Sequence, residues 1–176
     1  RGSGRFETQK AGSKPHEIFG PTMLTSDADT QRRLRAPFEG SFRPRVVRDD
    51  LTAVVREEVD TLLMPWNGRH HAALSREFAR VLPIAVIRRV LGLQLSLTTV
   101  RTCYDAFAKS LGDYKGDEEA DSVALQARGT LEAALRQEVR GTGGAESVSV
   151  MSRVLGGSGP VLSEDEAVAN AMVVMF

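Results

Sequence analysis

The chain has 176 residues, 41% of them hydrophobic and 26% charged, and its 23 basic side chains balance 23 acidic ones. This length and composition indicate a single globular domain and argue against a disordered or membrane protein. There is no apolar run of the roughly twenty residues that span a bilayer, no recognisable secretory signal, and no basic stripe with interleaved aromatics. The single cysteine, Cys103, excludes an internal disulfide and suits a reducing compartment. We therefore expect a cytoplasmic protein that binds neither membranes nor nucleic acids.

The first third of the chain predicts irregular structure followed by a short helix. Residues 1–26 are rich in Gly, Pro, Ser and Thr and show no sustained period, which is typical of a loop. Asp29 or Thr30 can cap a short helix that reaches about Arg35 and is ended with the help of Pro37.

Two further helices are predicted before residue 93. Pro44 can occupy the first turn of one of them, and an apolar stripe at three- and four-residue steps follows until Pro65. Residues 78–91 predict a second, buried helix around Pro83, closed by Gly92. The stripe of the first helix consists of Val47, Leu51, Val54, Val55, Val59, Leu62 and Leu63.

The second half of the chain predicts four helices and no alternating strand pattern. An amphipathic helix is expected over residues 96–111, a long helix at about 121–140, a short one near 146–155 and a final one from about Glu164. The first of these is the clearest, because its apolar residues step by 3, 4, 3 and 4. They are Leu97, Val100, Tyr104, Phe107 and Leu111.

The start of the final helix carries a capping box. Ser163 and Glu166 are three residues apart, so each side chain can satisfy the other's free backbone N–H. The helix is still apolar at Phe176 and meets no Gly, Asn or basic stop signal. We therefore expect the chain to be the interior of a longer protein.

One segment concentrates positive charge on this neutral chain. Such a segment favours an anion site or a docking face, although a solvated basic helix followed by a loop is the alternative on charge alone. Its arginines fall within seventeen positions, and they are Arg32, Arg33, Arg35, Arg43, Arg45 and Arg48.

The segment from Asp27 to Val47 resembles the third helix of a bacterial cytochrome P-450. In that family an acidic residue and a short turn lead into a His- or Gln-initiated, Arg-rich helix, and an aromatic-x-Pro step follows, here Phe42-Arg43-Pro44. Residues 76–92 and 162–176 resemble later parts of the same family, in the same order.

The resemblance implies a mainly α chain with part of the cytochrome P-450 fold, which is helical with a minor β portion. Residues 1–176 would form a single partial domain, from the N-terminal half of the catalytic domain, truncated within the long helix that crosses the haem. The implied activity is that of a haem-dependent monooxygenase that oxidises an apolar small molecule with O2 and electrons from a ferredoxin- or flavodoxin-type donor. The cofactor would be haem b, with its iron held by a cysteine outside this chain, so the chain alone would be inactive.

The resemblance also implies which residues meet the haem. Gln31 and Arg35 lie four apart, hence on one helix face, and are implied to bind a haem propionate. Leu24 is implied to touch the haem edge. The residues alone allow other interpretations. Leu24 could simply pack against its neighbours. Gln31 and Arg35 could be surface residues without a partner, or Arg35 could pair with Asp27 or Asp29.

Further residues are implied to line the substrate pocket or to meet the electron donor. Arg32 and Arg33 would face outward and dock an acidic donor, with ordinary solvated charge as the alternative. Residues 8–23 would border the pocket. Core packing is the alternative for the pocket-lining residues, which lie on the last helix or where the family's lid helices meet their loop. They are Met172, Val173 and Phe176 on that helix, and Phe107 and Leu111, with Tyr114, at the lid.

Three motifs carry no chemistry in our interpretation. Cys103 sits within a helix without a glycine-rich loop, so we do not expect it to be the haem thiolate. Glu77 and Arg80 match a family spacing in the wrong place, and the adjacent His70-His71 side chains diverge, so no catalytic residue and no metal site is expected. The alternative function is an all-helical small-molecule-binding or regulatory module without catalysis, and a third is a truncated relative that acts as a partner protein.

Overall fold

The computed structural model describes residues 13–113, 115–141, 150–156 and 162–176. Every regular element in these ranges is helical, which confirms the mainly α prediction. Short 3-10 turns occupy Gly40–Phe42 and Met64–Trp66, and π-helical turns occupy Val47–Leu51 and Ser75–Ala79. The α-helices are α1 (Lys14–Phe19), α2 (Ala28–Glu39), α3 (Pro44–Val46), α4 (Thr52–Leu63), α5 (Leu82–Val90), α6 (Leu97–Gly112), α7 (Glu118–Gly141), α8 (Val150–Gly156) and α9 (Glu164–Met175).

The core lies where α6, α7 and α9 pack together. Val100, Leu135 and Met172 come from these three helices in turn, and each side chain is almost completely buried. Burial of a side chain of this size contributes about 1.5–3 kcal/mol, so the packing of these three helices stabilises the fold. Within the described ranges, no helix combines the length and the apolar character that crossing a bilayer requires.

The prediction of an irregular N-terminal segment is wrong for α1. Pro15 stands in the first turn, and Gly20 ends the helix with a φ of 71° that favours glycine. The helix is stabilised from a distance, because the Phe19 ring packs edge-on against Phe107 with 5.1 Å between centroids. Arg128 of α7 also donates to the carbonyl of Ile18 at 3.0 Å. Periodicity in a six-residue stretch could not reveal these contacts.

Helix α2 extends further in both directions than the sequence predicts. It begins at Ala28, with Asp27 as the N-cap residue, so neither Asp29 nor Thr30 caps it. It also continues through Pro37 to Glu39. Because a proline removes only one backbone donor, the helix persists for a few residues before it gives way to the 3-10 turn.

The predicted helix from Pro44 is continuous but contains a π-helical turn. Pro44 occupies the first turn of α3, which runs through Val47–Leu51 into α4. The apolar stripe is only half covered, since Val47 and Val55 are exposed, and the buried residue of α4 is Glu58. Helix α4 is tied to α5 by ion pairs from Arg89 to Glu58 and its neighbour Glu57.

The helix predicted over residues 78–91 is divided in two. A π-helical turn ends at Ala79, and α5 begins at Leu82 with Pro83 in its first turn rather than in its middle. Gly92 follows α5 with a φ of 80°, as expected for a residue that ends a helix. The start of the helix predicted near residue 146 lies outside the described residues.

Ser163 and Glu166 form the predicted capping box at the start of α9. The Ser163 hydroxyl accepts the Glu166 N–H at 3.1 Å, and the Glu166 carboxylate accepts the Ser163 N–H at 3.0 Å. Ser163→Ala is expected to lower the free energy of unfolding by about 1 kcal/mol, because it removes the acceptor of one of these bonds. Urea unfolding would measure this loss. Ser163→Asn, which keeps a capping acceptor, is the control, and an equal loss in both variants would contradict the prediction.

Candidate functional site

An open cleft of about 510 Å³ lies between α2 and α9, and we call it the α2–α9 cleft. It brings together four of the residues that the sequence singled out, although they come from three segments of the chain. Gln31 and Arg35 share one face of α2 and form its polar edge, while Leu24 and Val173 provide apolar walls. The lining residues are Met23, Leu24, Ser26, Asp27, Ala28, Gln31, Arg35 and Val173.

Arg35, at the polar edge of the cleft, forms only a weak, exposed ion pair. Arg35 donates to Glu39 one turn further along α2 at 3.0 Å, rather than to Asp27 or Asp29. Both side chains of this pair are more than half exposed. An exposed pair of this spacing stabilises a helix by only about 0.3–0.5 kcal/mol. A buried or bidentate anion binds an arginine more strongly, so such an anion can replace Glu39 as the partner of Arg35.

The loop that leads into α2 is held by buried hydroxyl groups. The Thr25 hydroxyl accepts the Thr22 N–H at 2.9 Å and donates to the carbonyl of Gly20 at 2.8 Å. Thr22 and Thr25 are both buried, and Leu24 between them is 53% exposed and faces the cleft. The loop therefore presents an apolar side chain from a fixed backbone.

Asn170 of α9 fixes the same loop from the other side. It is completely buried, and its side-chain oxygen accepts the Met23 N–H at 2.7 Å. Its amide group donates to the carbonyl of Glu166, one turn earlier in α9, also at 2.7 Å. Sequence reasoning missed this residue, because a single asparagine in an apolar helix does not indicate a partner that lies 147 positions earlier.

Arg33 connects α2 to the start of α9. Its guanidinium donates to both carboxylate oxygens of Glu166, at 2.5 and 3.2 Å. Arg33 is exposed, as expected, with 43% of its side chain accessible, but it also makes this contact with α9, which the sequence did not indicate. Arg32 is exposed and pairs with Asp29 on its own helix. The difference follows from helix geometry, since neighbouring positions point about 100° apart and only one of them can reach α9.

The contacts of Glu166 lower the pKa of its carboxyl group from 4.5 to about 2. The hydrogen bonds from Arg33 are the largest cause, followed by the bond from the Ser163 backbone. Because this pKa is lower in the folded state, the stabilisation is complete above about pH 4.5 and is lost as the pH falls towards 2.

Arg33→Met is expected to raise the pKa of Glu166 and to lower the free energy of unfolding at pH 7, because the carboxylate loses its largest stabilising contact. Urea unfolding at pH 7 and pH 3 measures the second effect, and the difference from the parent protein should shrink at the lower pH. Arg32→Met removes a solvated arginine from the same helix and is the matched control. Equal losses in both variants, or no dependence on pH, would refute this assignment.

The predicted pocket residues separate into exposed and core positions. Val173 lines the α2–α9 cleft, whereas Met172 is 1% exposed and Phe107 is 2% exposed. Both line a small pocket of only about 10 Å³, and Leu111 is half-buried against the same core. The structure thus favours core packing for Met172, Phe107 and Leu111. Tyr114 lies outside the described residues.

Phe176 differs from the other predicted pocket aromatic, Phe107, because it is 42% exposed. Its ring stacks at a tilt on Tyr104, with 5.0 Å between centroids, and also approaches Phe19 and Phe107. It contributes to a second open cleft of about 560 Å³ between α5, α6 and α9. The walls of this second cleft include Ile84, Ile87, Tyr104 and Phe176.

A polar cluster joins α1 to the turn between α6 and α7. The Lys14 ammonium donates to Asp121 at 3.0 Å and to the carbonyl of Ser110 at 3.3 Å, and it lies 3.6 Å from Asp113. The Ser110 hydroxyl also donates to Asp121 at 2.5 Å. The pKa of Asp121 is lowered by this hydroxyl first and by Lys14 second. The segment predicted to border the pocket is therefore attached to the predicted lid.

The residues set aside in the sequence occupy a buried helix position, an exposed turn and a local ion pair. Cys103 is buried, and burial raises the pKa of its thiol above the usual value, which disfavours a thiolate there. His70 and His71 are exposed, and no group of three metal-ligating side chains occurs among the described residues. Glu77 pairs with Arg69 and accepts the Ala73 N–H, so it serves local structure.

Comparison with solved structures identifies the fold. The chain is similar to P450BioI in complex with an acyl carrier protein ligated to hexadec-9Z-enoic acid, with 17% identity and a TM-score of 0.77 over 97% of this chain. It is also similar to substrate-free CYP109E1 from Bacillus megaterium, with 15% identity and a TM-score of 0.75 over 96%. It is similar to CalO2 as well, with 22% identity and a TM-score of 0.73 over 92% of this chain. No protein-family model matches the chain, and no curated protein matches it by sequence.

The matched part is less than half of each neighbour. The chain spans 45% of P450BioI, 45% of CYP109E1 and 41% of CalO2. At 15–22% identity the likeness concerns the fold. The described helices of this chain thus have the fold of part of a cytochrome P-450.

Proposed function

We propose that the chain is the N-terminal half of the catalytic domain of a cytochrome P-450 monooxygenase. The whole protein would oxidise an apolar small molecule in the cytoplasm, with O2 and electrons from a ferredoxin- or flavodoxin-type donor. The α2–α9 cleft is the observation that carries the proposal, because it joins an amide and a guanidinium to apolar walls on this fold. That combination suits a largely apolar cofactor with carboxylate groups at one edge, as in haem b.

The residues of the cleft fit such a cofactor. Arg35 would exchange its exposed contact with Glu39 for a charge-assisted hydrogen bond to a propionate, and Gln31 on the same face would add a neutral one. Leu24 and Val173 would exclude water from the apolar part of the cofactor. When bound, the haem supplies the O2 and electron-transfer chemistry, while these residues supply binding and orientation.

The chain's own cysteine is unsuited to hold the iron. Cys103 is buried on α6 with a raised thiol pKa, whereas a cysteine that ligates haem iron does so as the thiolate. We therefore propose that the ligand is a cysteine outside this chain and that the chain alone is inactive. Purified 176-residue protein that oxidised a substrate with added reductant would contradict this.

The substrate and partner assignments extend the same proposal. The half-buried Val173 and the exposed Phe176 on α9 offer apolar surface for a small molecule, whereas Met172 and Phe107 support them from the core. Arg32 remains the candidate for contact with an acidic electron donor, since its side chain is largely exposed. Arg33 is also exposed, but its guanidinium already donates to Glu166, so Arg32 is the stronger candidate.

The carbon-monoxide difference spectrum of the reduced whole protein tests the proposal directly. A thiolate-shifted Soret band from the whole protein, and none from this chain alone, is the expected result. If the folded whole protein binds no haem, the monooxygenase proposal fails, and an all-helical small-molecule-binding module takes its place.

Arg35→Gln in the whole protein tests the propionate contact. The rate of haem transfer to excess apomyoglobin is expected to rise about tenfold, because a charge-assisted bond is replaced by a neutral one. Arg32→Gln, one turn earlier and exposed, is the matched control and should leave the rate unchanged. Equal rates for both variants and the parent would show that Arg35 does not hold the cofactor.

A further inference from the structure

We infer that Asn170 is a positioning residue that sets where the Leu24 wall of the α2–α9 cleft stands relative to its polar edge. The inference rests on the proposed function for the identity of the ligand, which is haem. It concerns a residue that does not itself line the cleft and acts through Met23.

A single turn of α9 holds both sides of the cleft. At the start of this turn, Glu166 binds Arg33 of α2, and at its end Asn170 binds the Met23 N–H of the preceding loop. The two contacts are joined, because the Asn170 amide donates to the Glu166 carbonyl. Val173 follows less than one turn later and is the α9 side of the cleft. The spacing between Leu24, α2 and Val173 is thus fixed by this turn.

The chemistry of Asn170 is specific to an asparagine side chain. The site needs an acceptor towards Met23 and a donor towards Glu166, and it is completely buried. Leucine of similar size leaves the Met23 N–H unsatisfied, and aspartate keeps the acceptor but places a carboxylate against the Glu166 carbonyl. Asn170→Leu therefore releases the loop from α9 and leaves the helix apolar, whereas Asn170→Asp keeps the bond to Met23 and loses only the one to Glu166.

Both variants, Asn170→Leu and Asn170→Asp, are compared in the haem-loaded whole protein. Resonance Raman spectra of the propionate bending modes and haem transfer to excess apomyoglobin report on the cofactor, and amide exchange at Met23 and Leu24 reports on the loop. Val90→Ala on α5 truncates a buried side chain that does not line the cleft and is the control for lost stability. Urea unfolding gives the free energy of unfolding of each variant, so that variants with similar losses of stability can be compared.

Asn170→Leu is expected to shift the propionate modes, to speed haem transfer about tenfold, and to speed amide exchange at Met23. The control should change neither the propionate modes nor the exchange at Met23. If the parent protein binds haem but Asn170→Leu behaves like Val90→Ala in all three measurements, the inference is wrong. If the parent protein binds no haem, the proposed function fails, and the amide exchange alone decides whether Asn170 holds the loop.

Discussion

Phe107→Ala is expected to lower the free energy of unfolding by about 3–5 kcal/mol, because it opens a cavity in the core between α1, α6 and α9. The ring is 2% exposed, and it packs edge-on against Phe19 with 5.1 Å between centroids and against Phe176 with 6.4 Å. Denaturant unfolding of the protein measures the loss. A loss of this size is a large part of the 5–15 kcal/mol by which folded domains are stable.

The same substitution separates two interpretations of the residue. If Phe107 lined a pocket, its substitution by alanine would change ligand binding and lower the free energy of unfolding only slightly. If Phe107 is a core residue, the same substitution lowers the free energy of unfolding strongly. Phe176→Ala is the matched control, since this ring is 42% exposed and its removal should cost about 1–2 kcal/mol. Equal losses for the two variants would show that Phe107 is not part of the core.

Elements with strong local signals could be predicted from the sequence. The 3- and 4-residue steps of α6 and the capping box of α9 depend on residues within one or two turns, so they are visible in a short window. The shared face of Gln31 and Arg35 is of the same kind, because it needs only helical geometry. Their common cleft with Leu24 and Val173 could be expected only from the family resemblance.

Contacts between distant residues could not be predicted in this way. Helix α1 is too short for a periodic pattern and is held by Arg128 and by Lys14 contacts that reach α7. Arg33 and Arg32 have the same chemistry and differ only in which of them meets Glu166. The bond from Met23 to Asn170 joins positions 147 residues apart. Each depends on how helices pack, which composition and periodicity do not specify.

Adjacent residues on α9 offer the sharpest test of how this helix is placed. Met172 is 1% exposed in the core, and Val173 lines the open α2–α9 cleft. Met172→Glu is expected to lower the free energy of unfolding by about 4 kcal/mol or more at pH 7, because a fully buried carboxyl has its pKa raised by up to about 3–5 units. Val173→Glu places the same group beside solvent and should cost about 1 kcal/mol.

The dependence on pH distinguishes burial of the charge from a simple misfit. A raised pKa in the folded state means that the folded protein binds the proton more tightly than the unfolded one, so the penalty grows as the pH rises above about 4.3. Urea unfolding of Met172→Glu at pH 4 and pH 7 should therefore show a much smaller loss at pH 4, whereas Val173→Glu should show little difference. If the two variants lose the same stability at both pH values, α9 does not present Met172 to the core and Val173 to the cleft. The assignment of the cleft as the cofactor site would then fail as well, because Val173 is its only wall from α9 among the described residues.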